Sequence, residues 1–254
     1  MPINIIDLGK MNYRQALEIQ EQLLEKRQAN EIADTLLLVE HPATLTLGTR
    51  GQHSNILASE EMLAKNGIEI FEVNRGGDVT YHGPGQLVGY PIMNLSCVDN
   101  DIKQYIWNIE ETFIRLLDEE YGIAATREDK KYTGVWVSAE PAGQAGQAGQ
   151  AWQGSEPKSD SSRSSFASND RKITAIGIAV KRWVTMHGFA FNINTNLEHF
   201  KLINPCGITD KGVTSLKELT GVEQDFLALK LKVTQHFCEV FKRQMRPAKL
   251  EDLI

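Results

Sequence analysis

Apolar residues recur at helical spacing in three long segments of the chain. The first segment, about 13–29, follows Asn12, a favourable N-cap, and the second, about 101–121, ends before Gly122, which suits a helix C-terminus. The third segment covers about 226–242. For this last helix the spacing predicts a buried face made by Leu227, Leu231, Thr234, Phe237, Cys238 and Phe241.

Shorter apolar runs without helical spacing predict the strands. They lie at 34–40, 43–48, 68–73, 135–137, 173–180 and 185–192, and a short helix between Ser59 and Gly67 separates the second run from the third. Because strands and helices do not alternate strictly, we expect an α/β (α+β) fold with a mixed sheet rather than a doubly wound nucleotide-binding fold. We expect residues 1–254 to form a single domain.

One segment, about 139–170, breaks this pattern. It contains three consecutive Ala-Gly-Gln triplets from Ala142 onwards and then a serine-rich run with almost no large apolar residues. Such a composition cannot bury enough apolar surface to offset the entropy of ordering the chain. We therefore expect a disordered insertion at the tip of a hairpin, outside the functional machinery.

Composition and charge narrow the function classes. The chain has 254 residues, 41% of them hydrophobic, and a formal net charge of −6, which suits a globular core and disfavours non-specific nucleic-acid binding. No long apolar run, secretory signal or transit peptide is visible, so we expect a cytoplasmic protein without a membrane anchor. The three cysteines form no CxxC pair and the six histidines no metal-binding pair, so reduced thiols and no metal are expected.

Residues 75–86, RGGDVTYHGPGQ, are the most unusual stretch of the chain. Four glycines allow the backbone to approach a ligand closely, and successive free N–H groups can bind an anion or the oxyanion of a tetrahedral intermediate. A plain turn needs one or two glycines, and it does not need an arginine and a histidine beside them. The stretch matches neither common nucleotide-binding glycine motif. It therefore predicts a binding site, with Gly76 and Gly77 as candidate oxyanion donors.

Cys206 is the candidate nucleophile among the three thiols. It lies in Asn204-Pro205-Cys206-Gly207, where a loop can expose a thiol, whereas Cys238 lies on an apolar helix face and Cys97 has no clear partner. A thiol with a pKa of about 8.5 needs a nearby cation or base to react at neutral pH. His82, His187 and Lys172 are all possible partners, and their spacing does not choose between them.

Four segments together resemble the lipoyl(octanoyl) transferase family. They are RGGDVTYHGPGQLVGY at 75–90, KITAIG at 172–177, HGFAFN at 187–192 and NPCGI at 204–208, in the order of the family. The resemblance implies the α/β fold of biotin and lipoate protein ligases, and a catalytic dyad of Cys206 and Lys172. It also implies an acyl-substrate pocket made by Arg75, Gly76, Gly77, Asp78, Val79, Thr80, Tyr81, His82, Ala175, Ile176, Gly177, Gly188, Phe189 and Ala190.

The activity implied by this resemblance is the first step of protein lipoylation, without a cofactor. An octanoyl group passes from octanoyl-acyl carrier protein, through a Cys206 thioester, to a lysine of a lipoyl domain. The expected acceptors are the lipoyl domains of 2-oxoacid dehydrogenase E2 subunits and the glycine cleavage H protein.

Three alternatives to this activity stay open. An ATP-dependent lipoate or biotin protein ligase is one, although the chain lacks both the GRGR-type loop of biotin ligases and the triple-glycine loop of lipoate ligases. A non-catalytic module that binds acyl-carrier or lipoyl domains is the second. A cysteine hydrolase is the third.

Overall fold

The computed structural model describes residues 1–97, 101–128, 132–138, 170–204 and 211–254. The insertion expected at about 139–170 lies outside the described residues, apart from Asp170. Among the described residues, no helix has the length and apolar character needed to cross a bilayer.

The α-helices are α1 (Tyr13–Gln28), α2 (Glu60–Lys65), α3 (Ile102–Tyr121), α4 (Leu216–Thr220) and α5 (Phe226–Val240).

The strands form a large sheet and a small one. In chain order they are β1 (Pro2–Lys10), β2 (Thr35–Glu40), β3 (Thr44–Leu47), β4 (Glu69–Glu72), β5 (Val79–His82), β6 (Gln86–Ile92), β7 (Ala125–Arg127), β8 (Gly134–Val137), β9 (Arg171–Lys181), β10 (Val184–Asn192), β11 (Gly212–Val213) and β12 (Gln244–Pro247). The large sheet has the order β12-β1-β2-β6-β10-β9-β8-β7, with β11 also paired to β9, and the small sheet has the order β4-β3-β5.

Both sheets combine parallel and antiparallel pairs. In the large sheet, β1 runs parallel to β2 and β12, and β11 runs parallel to β9. The pairs β2-β6, β6-β10, β10-β9, β9-β8 and β8-β7 are antiparallel. In the small sheet, β3 is parallel to β4 and antiparallel to β5. The predicted α/β fold with a mixed sheet is therefore confirmed.

Helices cover both faces of the large sheet. Leu36 and Leu38 of β2 pack in the cluster that contains α3 and α5, while Leu37 and Val39, which point to the opposite face, pack with α1. The small sheet has a cluster of its own. A strand buried on both faces reads as a continuous apolar run, which is why β2 was visible in the sequence.

The predicted helices and strands that the structure describes are present, within a few residues of the expected ends. Asn12 and Asp101 accept backbone hydrogen bonds as N-caps of α1 and α3, and Gly122 ends α3 in the left-handed conformation. Six strands were not predicted: β5, β6, β7, β11 and the two terminal strands β1 and β12. β12 is exposed along its whole length, so no apolar pattern marks it, and its pairing with β1 is a contact between the two ends of the chain.

The predicted buried face of α5 was partly wrong. Leu227 and Leu231 are 67% and 64% exposed, while Phe237 is fully buried. The buried stripe runs through Leu229, Val233 and Phe237, which are spaced four residues apart and pack in the cluster that includes α3. The helix carries apolar residues on two neighbouring stripes, and packing against α3 selects only one of them.

Candidate active site

A cavity of about 240 Å³ lies where the large and small sheets meet. Strands β9 and β10 provide one side, and the 75–77 loop and β5 provide another. The lining residues are Tyr13, Arg50, Arg75, Gly76, Gly77, Val79, Thr80, His82, Val88, Tyr90, Ile106, Thr133, Lys172, Ala175, Ile176, Gly177, Ile178, His187, Gly188, Phe189 and Ala190.

Most of the residues expected to form the acyl pocket line this cavity, together with Lys172. Asp78 and Tyr81 are not among the lining residues. Asp78 instead binds the neighbouring loop, accepting hydrogen bonds from Asn55 Nδ2 at 2.5 Å and from the Gln52 backbone N–H at 3.2 Å. Tyr81 is fully buried, with its hydroxyl 2.7 Å from His199 Nδ1. Both residues therefore stabilise the loop and β5 through contacts outside the cavity.

The 75–77 loop is held directly against β9. The Gly76 N–H donates to the Ile178 carbonyl at 2.8 Å, so this group is not available for an oxyanion, and that part of the expectation was wrong. A Cβ atom on Gly177 would lie 2.9 Å from the Gly76 carbonyl oxygen. Glycine is required at 177 because the loop approaches the strand so closely.

Arg75 hydrogen-bonds both to the loop and to strand β3 of the small sheet. Its guanidinium donates from Nη2 to the Thr46 carbonyl at 2.6 Å and from Nη1 to the Gly76 carbonyl at 3.1 Å. Arg75 is only 7% exposed, and its positive charge, in addition to burial, contributes to the lowered pKa of His82 and His187. It fixes the small sheet to the loop and also contributes to the wall of the cavity.

The two histidines of the cavity are buried. Burial, with a smaller contribution from the charge of His41, lowers the pKa of His82 to about 3, and burial lowers the pKa of His187 to about 4. His82 Nδ1 lies 2.9 Å from Gln86 Oε1, and His187 Nε2 lies 2.8 Å from Asn74 Oδ1. Both imidazoles are neutral near pH 7, so neither supplies a positive charge that would favour a thiolate.

Lys172 lies at the other end of the cavity from His187. Its Nζ donates to the Thr133 carbonyl at 3.1 Å and lies 4.6 Å from the centre of the Trp136 ring. The pairing of β8 with β9 shifts by one residue at Ile173, because Val135 faces Thr174 and Trp136 faces Lys172. Such a bulge redirects the neighbouring side chain, and here it sets the direction of Lys172.

Cys206 lies outside the described residues, which leave a gap at 205–210. Both flanks of this gap are held by hydrogen bonds, and the second flank pairs with the strand that carries Lys172. The Asn204 N–H donates to the Asn55 carbonyl at 2.7 Å, and Val213 pairs directly with Lys172 on β9. A second cavity, of about 40 Å³, adjoins the first and is lined by Lys172, Trp136 and Lys211, among others.

Cys238 is a core thiol, as expected. It is 6% exposed on α5, and burial, followed by the nearby Glu239, raises its pKa to about 11. A buried thiol with a raised pKa is a poor nucleophile.

Several residues of the cavity were not predicted. They include Tyr13 of α1, Arg50, and Val88 and Tyr90 of β6. Tyr13 and Val88 have the apolar spacing of ordinary core residues, and only the packing of α1 over β6 and β10 brings them to the cavity. The sequence carries no separate signal for such residues, apart from the position of Tyr90 at the end of the 75–90 motif.

The chain is similar to known proteins over its whole length. The profile of the lipoyl protein ligase A/B catalytic domain matches residues 12–238. An octanoyltransferase of Caldicellulosiruptor saccharolyticus is 49% identical over 100% of this chain and 94% of its own length. An octanoyltransferase of Desulforamulus reducens is 50% identical over 95% of this chain and 92% of its own. These relatives confirm the predicted enzyme class, an acyltransferase.

Solved structures share the fold at much lower identity. A lipoate-protein ligase A bound with ATP superposes with a TM-score of 0.70 at 17% identity, covering 100% of this chain and 92% of that one. A bipartite lipoate protein ligase of Thermoplasma acidophilum gives 0.68 at 14% identity, covering 100% and 90%. The fold expected from the sequence motifs is thus confirmed, and the chain belongs to the lipoyl protein ligase A/B catalytic domain family.

Proposed function

We propose that this protein is an octanoyltransferase that forms an octanoyl thioester on Cys206 and passes the octanoyl group to a lysine of a lipoyl domain. The observation that carries the proposal is the position of Lys172, which lines the same cavity as the 75–77 loop and the apolar residues of β9 and β10. The relatives at 49% and 50% identity carry the name of the same activity.

The cavity has the size and lining for a medium acyl chain. An apolar cavity of about 150 Å³ is enough to bind benzene, and this one measures about 240 Å³. Val88, Ile176, Phe189 and Ala190 provide apolar contacts. Burial of the seven carbons beyond the carbonyl, at about 0.8 kcal/mol each, contributes about 6 kcal/mol before the costs of binding.

Chain connectivity supports the role of Cys206. Asn204 is anchored to Asn55 by a hydrogen bond of 2.7 Å, and Cys206 follows two residues later. Two residues span at most about 7 Å. On the far side of the gap, Val213 is the β-sheet partner of Lys172. The attachment of this flank to Lys172 supports the proposed pairing of Cys206 with the lysine.

The proposed reaction has two steps. In the first, the Cys206 thiolate attacks the carbonyl carbon of the octanoyl thioester, and the tetrahedral intermediate expels the thiolate of the carrier, which takes up a proton. In the second, the neutral ε-amine of the acceptor lysine attacks the acyl-enzyme, loses a proton and forms an amide, and Cys206 is released as a thiol. Lys172 stabilises the thiolate as a cation and carries the protons between steps.

The donor and acceptors belong to the proposal. We infer octanoyl-acyl carrier protein as donor, lipoyl domains of 2-oxoacid dehydrogenase E2 subunits and the glycine cleavage H protein as acceptors, and the cytoplasm as location. A thioester donor is already activated, so the reaction requires no ATP. The ligases that share the fold are only 14% and 17% identical, and they support the fold rather than their own reaction.

The experiment follows the mass of the intact protein. The enzyme is incubated with octanoyl-acyl carrier protein and analysed by mass spectrometry, first alone and then after addition of a lipoyl domain. We expect one octanoyl adduct on the wild type, its transfer to the domain, and no adduct on Cys206→Ser. The matched control is Cys238→Ser, which removes the buried thiol of α5 and is expected to leave the adduct in place.

Each alternative gives a different result. An octanoylated lipoyl domain that appears only with free octanoate and ATP would identify a ligase. A Cys206→Ser protein that still carries the adduct would refute the thioester. Hydrolysis of the adduct without an acceptor would identify a hydrolase, and a protein that binds the carrier without any adduct would be a binding module.

A further inference from the structure

Glu110 is a buried carboxylate on the apolar face of α3. The residue is only 5% exposed, and its neighbours on the same face, Ile109 and Phe113, are fully buried. Burial disfavours the charged form and raises the pKa of Glu110 above its usual value. A buried carboxylate is costly unless partners compensate it, so the contacts of Glu110 indicate what it does.

The carboxylate binds a single backbone peptide group that also binds Lys172. Glu110 Oε1 accepts a hydrogen bond of 3.1 Å from the Gly134 N–H. The carbonyl of the same peptide group belongs to Thr133, and it accepts a hydrogen bond of 3.1 Å from Lys172 Nζ. The peptide group is trans, so its N–H and its carbonyl point in opposite directions. It therefore bridges the carboxylate and the ammonium.

The two hydrogen bonds strengthen each other. A carboxylate at the N–H end polarises the peptide group and increases the negative charge on its carbonyl oxygen. The Thr133 carbonyl thereby becomes a better acceptor for the ammonium of Lys172. The charges of Glu110 and Lys172 also attract each other directly, and this attraction opposes the rise in the pKa of Glu110.

Gly134 is required for this arrangement. Its φ of +139° is rarely adopted by other residues, and a Cβ atom there would lie 2.5 Å from the Thr174 carbonyl oxygen and 3.2 Å from Lys172 Cε. The absence of a side chain lets the lysine stem pass over the strand and reach the Thr133 carbonyl.

Other charged groups face this region. Arg127 of β7 lies 3.6 Å from Glu110 Oε2, and it also pairs with Glu111. Lys211 lies 4.9 Å from the Trp136 ring that Lys172 also contacts, and it is paired with Glu128. Of the three carboxylates, Glu110 is the one that hydrogen-bonds to the Thr133–Gly134 peptide group.

We infer that Glu110 is a positioning residue for Lys172, which acts through the Thr133–Gly134 peptide group to hold the lysine ammonium at the cavity and to favour its charged form. The inference rests on the proposed function for its effect on acyl transfer, but not for its effect on Lys172 itself. It adds a third residue to the expected pair of Cys206 and Lys172.

The test compares Glu110→Gln with Glu111→Gln. The two residues are adjacent on α3 and both approach Arg127, but Glu111 does not contact the peptide group, so it is the matched control. The rate of enzyme acylation by octanoyl-acyl carrier protein is measured against pH. Loss of the negative charge makes the lysine lose its proton more readily. We expect the alkaline limb of the profile to move about one pH unit lower in Glu110→Gln and to stay in place in Glu111→Gln.

A second readout does not depend on activity. NMR titration of protein labelled with ¹³C at lysine Cε, with the Lys172 signal assigned by its loss in Lys172→Arg, follows protonation of the lysine. We expect its midpoint to fall in Glu110→Gln and to be unchanged in Glu111→Gln. If the wild type forms no acyl-enzyme, the proposed function fails and the titration still decides the role of Glu110.

Two outcomes would overturn the inference. One is a Lys172 titration midpoint that is the same in the wild type and in Glu110→Gln. The other is an acylation rate that falls equally at all pH values, without a shift of the alkaline limb of the pH–rate profile. Should Glu110→Gln not fold, as judged by thermal unfolding, Glu110→Asp replaces it. This variant keeps the charge but withdraws the oxygens by one methylene, and we expect a smaller shift in the same direction. No shift would again refute the inference.

Discussion

The two ends of the cavity differ in the surroundings that they provide for their ionisable side chains. Along the paired strands β9 and β10, His187 stands opposite Ile178 at one end, and Ala190 stands opposite Ala175 near Lys172 at the other. At the histidine end, burial keeps His187 neutral. His82, whose pKa His187 helps to lower, is grouped with it and is neutral for the same reason. At the lysine end, which comprises Lys172, Thr133 and Trp136, a carbonyl and an aromatic ring face the ammonium.

The difference between the two ends comes first from burial, which is deeper at the two histidines than at Lys172, and then from the hydrogen-bond partners. The histidines are bound by amide side chains, which accept a hydrogen bond but carry no charge to favour the imidazolium. The ammonium of Lys172 donates to the Thr133 carbonyl. The N–H of the same peptide group donates to the Glu110 carboxylate. The lysine end is thus suited to charge that develops during reaction.

Replacement of the lysine gives the largest expected effect. In Lys172→Ala we expect enzyme acylation to slow by about 10²- to 10⁴-fold, the range for loss of a positioned acid or base. His82→Gln is expected to slow it less than tenfold, because an imidazole with a pKa of about 3 is a weak base for proton transfer. Rapid mixing with octanoyl-acyl carrier protein, followed by mass analysis, measures both rates.

The exposed Lys201, paired with Glu198, provides the control for loss of a lysine. Lys201→Ala is expected to acylate at the wild-type rate. Equal losses in Lys172→Ala and His82→Gln would show that the two ends do not differ in function.

The sequence predicted the positions of residues in local motifs better than it predicted their charge states. Lys172 and the glycine-rich loop, which line the cavity, lie in motifs that can be read as continuous stretches. The neutral state of His82 could not be predicted, because it depends on burial by Tyr13 and His41, which lie at least forty residues away in the chain. The role of Glu110 was hidden for the same reason, since its partner peptide group lies on another element. Likewise, β12 became visible only through its pairing with β1.

A larger side chain at position 190 should fill the part of the cavity between its two ends. Ala190 is 3% exposed and lines the cavity next to Ala175. In Ala190→Leu we expect the added carbons to occupy the space of the acyl chain, so that the preference for octanoyl over butanoyl donors falls by about 10- to 200-fold. Competition between the two donors, read as the ratio of adduct masses, measures the preference. An unchanged ratio with wild-type stability would mean that the acyl chain follows another path.

The neutral histidines should make stability depend on pH. The pKa of His82 falls from 6.5 in the unfolded chain to about 3 in the folded protein, so the unfolded state binds more protons between these values. The stabilising effect is complete above pH 6.5 and is lost as the pH falls toward 3. We expect the free energy of unfolding to decrease by about 1.4 kcal/mol per pH unit for this histidine below pH 6.

Urea unfolding at pH 7, 6 and 5 measures this dependence. In His82→Gln the decrease per pH unit should be smaller by that amount, whereas His53→Gln, which alters an exposed histidine paired with Glu72, should follow the wild type. Parallel curves for all three proteins would mean that His82 is already charged in the folded state.

The smallest effect concerns the aromatic ring at the lysine end. Trp136 contacts the Lys172 ammonium and donates from Nε1 to the Tyr132 carbonyl at 2.8 Å. Phenylalanine keeps a ring but binds a cation less strongly, at a cost of about 0.5–1 kcal/mol, so we expect Trp136→Phe to slow acylation by a few-fold. If the ring acts through the lysine, the same substitution in the Lys172→Ala background should cause no further loss, because contacting residues are not additive. Equal losses in both backgrounds would instead assign the effect to the packing of β8.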